Sequence, residues 1–298
     1  RRETALPHAP DDTHPMNSKI IDATHLGAAL HALARQEVQA LLAALGNQRA
    51  RHRGVHEARK AIRRLRSLLL LGRTGFGAAG ERLDAKLKHL ATSLSALRDA
   101  HVVVETAGGM LRGARGEKMR KRWTALRRQL SNRRKQVLDD ALAGDPGFEQ
   151  RRGDVVRHAA TIDRLPWDAL EHDTLRRELA RSLRRMRKAE RHASRPDADI
   201  EQRHRWRRRL RRLRMQWNAL KTLHKRASDT GVRADSHALL AWLRSEAPRF
   251  AQVATSADAL GADQDLVLLQ AAIGQLPPSH GRDLALQDIE ATRAAVRA

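Results

Sequence analysis

Two segments of the sequence concentrate side chains with chemistry to offer. The first, VHEARKAIRRLRSLLLL, runs from Val55 to Leu71, and the second, RHRWRRRLRRLRMQWNAL, from Arg203 to Leu220. A histidine stands near the start of each, followed by cations at spacings of three and four. The first holds His56, Arg59, Lys60, Arg63, Arg64 and Arg66; the second holds His204, Arg207, Arg208, Arg211, Arg212 and Arg214. A guanidinium is a planar fork of donors that meets the oxygens of a phosphate or sulfate two at a time. An imidazole adds a donor whose charge changes near neutral pH. Together they are tools for holding an anion with repeated charges.

Spacing decides whether these groups act together. On a helix turning about 100° per residue, with His56 at zero, Arg63 falls at about 340°, Arg59 at about 300° and Arg66 at about 280°. Lys60 and Arg64 fall at about 40° and about 80°, and Ala58, Ile62, Leu65, Leu68 and Leu69 fill about 120° to 240°. The second segment repeats the wheel, with His204, Arg207, Arg211 and Arg214 on one side and Trp206, Leu210, Leu213 and Trp217 on the other. Each helix has an apolar face to pack and a cationic ridge. Like charges at these spacings destabilise a helix by roughly 0.2–0.5 kcal/mol per pair. Residues 203–214 contain no Asp or Glu to offset them. The ridge is a poor choice for helix stability alone, and an external linear polyanion would relieve its repulsion.

The two segments are related. A shift of 148 residues carries His56 onto His204, Arg59 onto Arg207, Arg63 onto Arg211, Arg64 onto Arg212, Leu65 onto Leu213 and Arg66 onto Arg214. Both read H-x-x-R-x-x-x-R-R-L-R. A later pair, LSALRDAHV (Leu94–Val102) and LGADQDLVL (Leu260–Leu268), aligns Asp99 with Asp265. The pattern predicts an internal duplication.

The elements that must carry these residues are helices. Tyr is absent, Phe occurs three times, and alternating β-branched runs are missing. Apolar residues recur at helical spacing over about 22–46, 55–73, 81–107, 117–143, 172–193, 199–227, 234–246, 248–273 and 281–297, separated by Gly- and Pro-bearing breakers. The expectation is an all-α protein of two antiparallel four-helix-bundle halves related by a pseudo-twofold internal repeat. Repeat one covers about 21–143, a linker about 144–170, and repeat two about 171–298. Residues 1–20, with three Pro and no periodicity, read as a leader or linker outside the fold.

The chain as a whole agrees with an anionic partner. It has 298 residues, enough for one or two domains, and a formal net charge of +24 with a pI near 11.6. Of 58 basic residues 48 are Arg. Such a charge repels itself in the compact state and draws polyanions. Cysteine is absent, so disulfides, thiolate catalysis and Cys-ligated metals are excluded. No apolar run reaches the ~18 residues of a membrane span. His56-Glu57 begins like a zinc-protease helix, but Lys60 stands where a second His is needed. His52 and His56 are four apart, without the further ligands a metal requires. No phosphate-loop, dinucleotide or nucleophile-elbow motif occurs, so no cofactor is expected. Asp99 and Asp265 could hold Mg²⁺ but read better as ion-pair or helix-end residues, Arg98 being adjacent to the first; with no carboxylate in either ridge the protein is expected not to be an enzyme, a metal-assisted phosphohydrolase or phosphotransferase being the alternative.

The two histidine–arginine segments, with LRDAHV (Leu97–Val102), resemble the CHAD family, the conserved-histidine α-helical domain, over about residues 20–298. The resemblance implies two four-helix bundles about a pseudo-twofold axis, with the basic helices lining a central groove. It also implies binding of inorganic polyphosphate, in the cytoplasm and on polyphosphate granules. The residues it carries over are His56, Arg59, Arg63, Arg64, Arg66, His204, Arg207, Arg211, Arg212 and Arg214, and Lys60 and Arg208 share their ridges. The family more often has Lys at Arg211, an aromatic at Met215 and an acid at Asn218. Other phosphate or sulfate polyanions fit the same chemistry. Nucleic acid is the rival partner; the five Trp, mostly on apolar faces, and the absence of Tyr offer little for base stacking.

Overall fold

The computed structural model describes residues 26–229 and 236–297. The expected leader, residues 1–20, and the first residues of the expected helix 22–46 lie outside the described residues. Within them the chain forms α1 (Leu26–Gly46), α2 (Arg51–Leu71), α3 (Arg73–Ser93), α4 (Ser95–Gly113), α5 (Glu117–Gly144), α6 (Glu149–Asp163), α7 (His172–Ala193), α8 (Ile200–Asp229), α9 (Ser236–Gly274) and α10 (His280–Arg297). Short 3₁₀ turns flank α6 at Pro146–Phe148 and Trp167–Ala169. Among the described residues there is no strand, and no helix is long and apolar enough to cross a membrane.

Several boundaries differ from the sequence periodicity, each for a local reason. The helix expected from residue 55 begins at Arg51 and takes in Gly54, where a Cβ would stand 2.4 Å from the Ala44 carbonyl oxygen. Glycine there lets α1 and α2 approach closely. The glycine-rich stretch before residue 81 lies inside α3, which kinks at Gly77 (φ 52°), a backbone state that glycine adopts without strain. The expected helix 81–107 is two helices, parted at the fully buried Leu94. Residues 144–170, expected as a linker, contain α6, whose Val155, His158 and Ile162 are buried. Their spacing of three and four was hidden among arginines and glycine. The two helices expected over 234–246 and 248–273 are one helix, α9, with Pro248 inside it.

Two apolar cores hold the helices. One gathers Leu30, Leu41, Ile62, Leu65, Leu83, Leu87, Ile162, Leu175, Leu179, Leu210 and Leu213, drawing on α1, α2, α3, α6, α7 and α8. The other gathers Val104, Trp123, Leu126, Leu269, Ile273 and Ile289 from α4, α5, α9 and α10. Both cores draw helices from before and after residues 144–170. The apolar faces of α2 and α8 are sealed in the first core, so their cationic sides are pressed toward one another and toward α4 and α9. Where the two helices meet, Ser67 Oγ donates to the Arg63 carbonyl at 2.8 Å and lies 3.8 Å from Met215 Sδ. The buried Gln216 donates to the Ser67 carbonyl at 3.5 Å.

Candidate functional site: a cluster of unpaired arginines

One turn before that crossing, Arg63 on α2 stands opposite Arg211 on α8. Both are largely buried, and neither has a carboxylate partner among the described residues. Burial, then the fields of Arg211, Arg59, Arg98 and Arg207, push the Arg63 pKa down to about 9. Burial and the field of Arg211 push Arg207 down to about 10, and burial with Arg98 lowers Arg211. Arg63 and Arg207 stay cationic at neutral pH. The Nε groups of Arg63 and Arg207 are buried without a hydrogen-bond partner. Buried cations held together in this way cost folding free energy that an anion would return.

Arg59 joins the cluster but is partly engaged. Its Nη1 donates to Ser95 Oγ at 2.9 Å and to the carbonyl of Ala91, in the last turn of α3, which also accepts the Leu94 N–H. The break at Leu94 directs Arg98 of α4 into the cluster. Arg98 donates to Asp99 at 3.0 Å and across to Asp265 of α9 at 3.2 Å. The two aspartates aligned in the sequence are thus joined by one guanidinium, and Asp265 lies close enough to raise the pKa of Arg207 and Arg211 against the effect of burial. The reading of Asp99 and Asp265 as ion-pair residues matches this geometry. Neither aspartate belongs to a ridge, yet both flank the cluster.

Toward the start of α2 the cluster continues in imidazoles. His56 is half-buried, its pKa lowered by burial and by Arg63, Lys60 and His101 against the pull of Glu57. His52, one turn earlier, stacks on His101 of α4 with ring centroids 5.7 Å apart. Burial, Arg134 of α5 and His101 push His52 down to about 4, and burial also lowers His101. The Nδ1 atoms of His52 and His101 and the Nε of Arg134 are buried without a hydrogen-bond partner.

The other expected site residues are placed differently. Arg64 pairs with Glu37 of α1 at 3.1 Å and Lys60 with Glu57 at 3.5 Å. Arg66 forms a two-pronged pair with Asp84 of α3 at 2.7 and 2.9 Å. Arg214 pairs with Asp258 of α9 at 2.7 Å, and the exposed Arg208 with Glu201. His204 is half-buried beside Glu201 and makes no hydrogen bond to the cluster. Arg212 has Arg209, Arg66, Asp84 and Arg185 as its charged neighbours, a set that shares no member with the neighbours of Arg63. Sequence reasoning on the two ridges passed over Arg98, His52, His101 and Arg134. Arg98 and His101 sit in LRDAHV at a spacing of three, which was a readable signal. Arg134 lies in a helix rich in arginines and carried none.

A model of the CHAD domain family matches residues 24–274. Among solved structures, the fold is similar to the crystal structure of the CHAD domain from the plant Ricinus communis. The TM-score is 0.59 at 20% identity, over 92% of this chain and 86% of that one. It is also similar to PptA from Streptomyces chartreusis, with a TM-score of 0.63 at 18% identity, over 92% of this chain and 96% of that one. At these identities the likeness is one of fold. No curated protein sequence matches the chain.

Proposed function

The chain belongs to the CHAD domain family, and on that premise we propose that it binds inorganic polyphosphate, without catalysis, through Arg63, Arg207 and Arg211. Arg59, Arg98 and the imidazoles of His52, His56 and His101 extend the surface along α2 and α4. The observation that carries this reading is the contrast among the arginines. Arg64, Arg66, Arg208 and Arg214 each pair with an acid, whereas Arg63, Arg207 and Arg211 form no such pair among the described residues, although Asp265 lies near the last two. A chain of phosphates supplies closely spaced charges in the geometry a guanidinium accepts. Association with polyphosphate granules follows as the cellular consequence of such binding.

Titration with long-chain polyphosphate tests the reading. Joint charge reversal at Arg63 and Arg211 is expected to abolish high-affinity binding, while reversal of the exposed Arg128 and Arg187 leaves it nearly intact. Equal losses would remove the cluster from the argument. Nucleic acid is separated by competition: polyphosphate should displace single- or double-stranded nucleic acid at fixed salt, and not the reverse. Asp99 and Asp265 beside the cluster favour one second reading, a metal-assisted phosphohydrolase or phosphotransferase. Phosphate release from polyphosphate in the presence of Mg²⁺ or Mn²⁺, lost in Asp265→Asn, would establish it in place of simple binding.

A further inference from the structure

A second basic site lies away from the cluster just described. Between α2, α3, α7 and α8 there is a cavity of about 320 Å³ whose polar lining is Arg73, Glu81, Asp84, Arg185, Arg209 and Arg212. Its two carboxylates are already committed, Asp84 to both prongs of Arg66 and Glu81 to Arg73 at 2.9 Å. Arg185, Arg209 and Arg212 have no acid of their own among the described residues. Burial and mutual repulsion lower Arg209 and bring Arg212 to about 10.

The corresponding place in the first half of the chain shows what is unusual here. Adding 148 to the buried positions Gly27, Leu30, Val38, Leu41 and Leu45 of α1 gives Leu175, Glu178, Met186, Ala189 and Ala193, all buried in α7. The same shift carries Arg64 onto Arg212 and Glu37 onto Arg185. In the first half Glu37 neutralises Arg64 at 3.1 Å. In the second half an arginine stands where the acid was, and a closed ion pair has become an open basic cavity. Fold stability does not ask for this exchange, because the acid in the first half already satisfies the same arginine position.

We propose that Arg185, Arg209 and Arg212 form a second anion site, separate from the Arg63–Arg211 cluster, that takes a single phosphate or diphosphate group. The enclosure suits a compact oxyanion: Arg209 and Arg212 are half-buried in the walls, and Arg185 stands exposed at the mouth. The group is either free orthophosphate or pyrophosphate, or the end of a polyphosphate chain.

Calorimetric titration of the full chain with orthophosphate and pyrophosphate at physiological ionic strength tests this. A binding event that persists when Arg63 and Arg211 are jointly reversed is expected, and its absence overturns the proposal. Arg185→Glu restores the pairing of the first half, so the thermal midpoint should hold or rise while affinity falls at least about tenfold. Arg209→Gln should lower affinity without reversing a charge, and Arg187→Glu, on the opposite side of α7, should leave it unchanged. Joint charge reversal at Arg63 and Arg211 should also leave it unchanged, which keeps this site independent of the proposed function. Loss of long-chain polyphosphate affinity in Arg185→Glu assigns the cavity to a chain end; retention assigns it to free phosphate or pyrophosphate. Undiminished pyrophosphate binding in both Arg185→Glu and Arg209→Gln, or its loss on reversing Arg63 and Arg211, overturns the proposal.

Discussion

Ser67 Oγ lies 3.8 Å from Met215 Sδ, and these two residues are separated by the same 148 positions that relate His56 to His204. Where α2 and α8 meet at this spacing, another pair of residues 148 positions apart comes close as well. One turn away that pair is Arg63 and Arg211, and a like-charge contact that a lone helix would avoid is held in place by the core beneath it.

Removing that confrontation should stabilise the ligand-free protein. Arg63→Met or Arg211→Met keeps the aliphatic volume and deletes a buried, unpaired charge. Replacing buried ionic groups by apolar ones of similar size commonly gains about 1–4 kcal/mol. A higher urea midpoint and a thermal midpoint raised by several degrees are expected, together with weaker polyphosphate binding. A lower midpoint would show that an anion is not needed to offset the charge.

Binding should depend steeply on salt, because polyphosphate sheds counterions as the arginines replace them. The slope of log affinity against log salt should fall by roughly 0.7–0.9 for each of Arg63, Arg207 and Arg211 replaced by Gln. Replacing Arg64, already held by Glu37, should change the slope less. Affinities measured between low and physiological salt give both values.

The imidazoles predict opposite pH responses with and without ligand. His52, His56 and His101 are depressed below their ordinary value, so the unfolded chain takes up their protons first. The stability they contribute is present above about pH 6.5 and is lost as pH falls toward the His52 value of about 4. A bound polyanion raises these pKa values, acting with Glu57 and Glu105 and against Arg134, Arg98, Arg63 and Lys60. Polyphosphate affinity should therefore rise as pH falls from 7.5 to 6 (roughly the window in which an imidazole titrates), with proton uptake on binding. Joint replacement of His52 and His101 by Gln should flatten both profiles.

Asp145 should matter for folding and not for binding. It is buried, accepts the backbone N–H of Gln150 at 2.9 Å in the first turn of α6, and pairs with Arg151 at 2.6 Å. Asp145→Ala removes a helix-start acceptor and strands a guanidinium, at a cost of about 2 kcal/mol or more. Chemical denaturation should show the loss, with polyphosphate affinity retained in the folded fraction.

Much was legible in the sequence because helices are local objects. Apolar spacing set the all-α class, the apolar faces of α2 and α8, and the ridge containing Arg59, Arg63, Arg207 and Arg211. The 148-residue shift aligned the two histidine–arginine segments with each other. What one helix cannot reveal is which partner meets each side chain. Arg63 and Arg64 are neighbours in sequence and look alike, yet α1 brings Glu37 to one while α8 brings Arg211 to the other. Arg66 belongs to the same ridge on a helical wheel and is taken by Asp84, and His204 stands beside Glu201. Arg98, His101 and Arg134 enter only because α3 and α4 part at Leu94 and α5 lies alongside. The sequence determined where positive charge would collect; the tertiary structure decided which charges are neutralised and which stay open, because an ion pair depends on distance through space and the chain encodes only distance along itself.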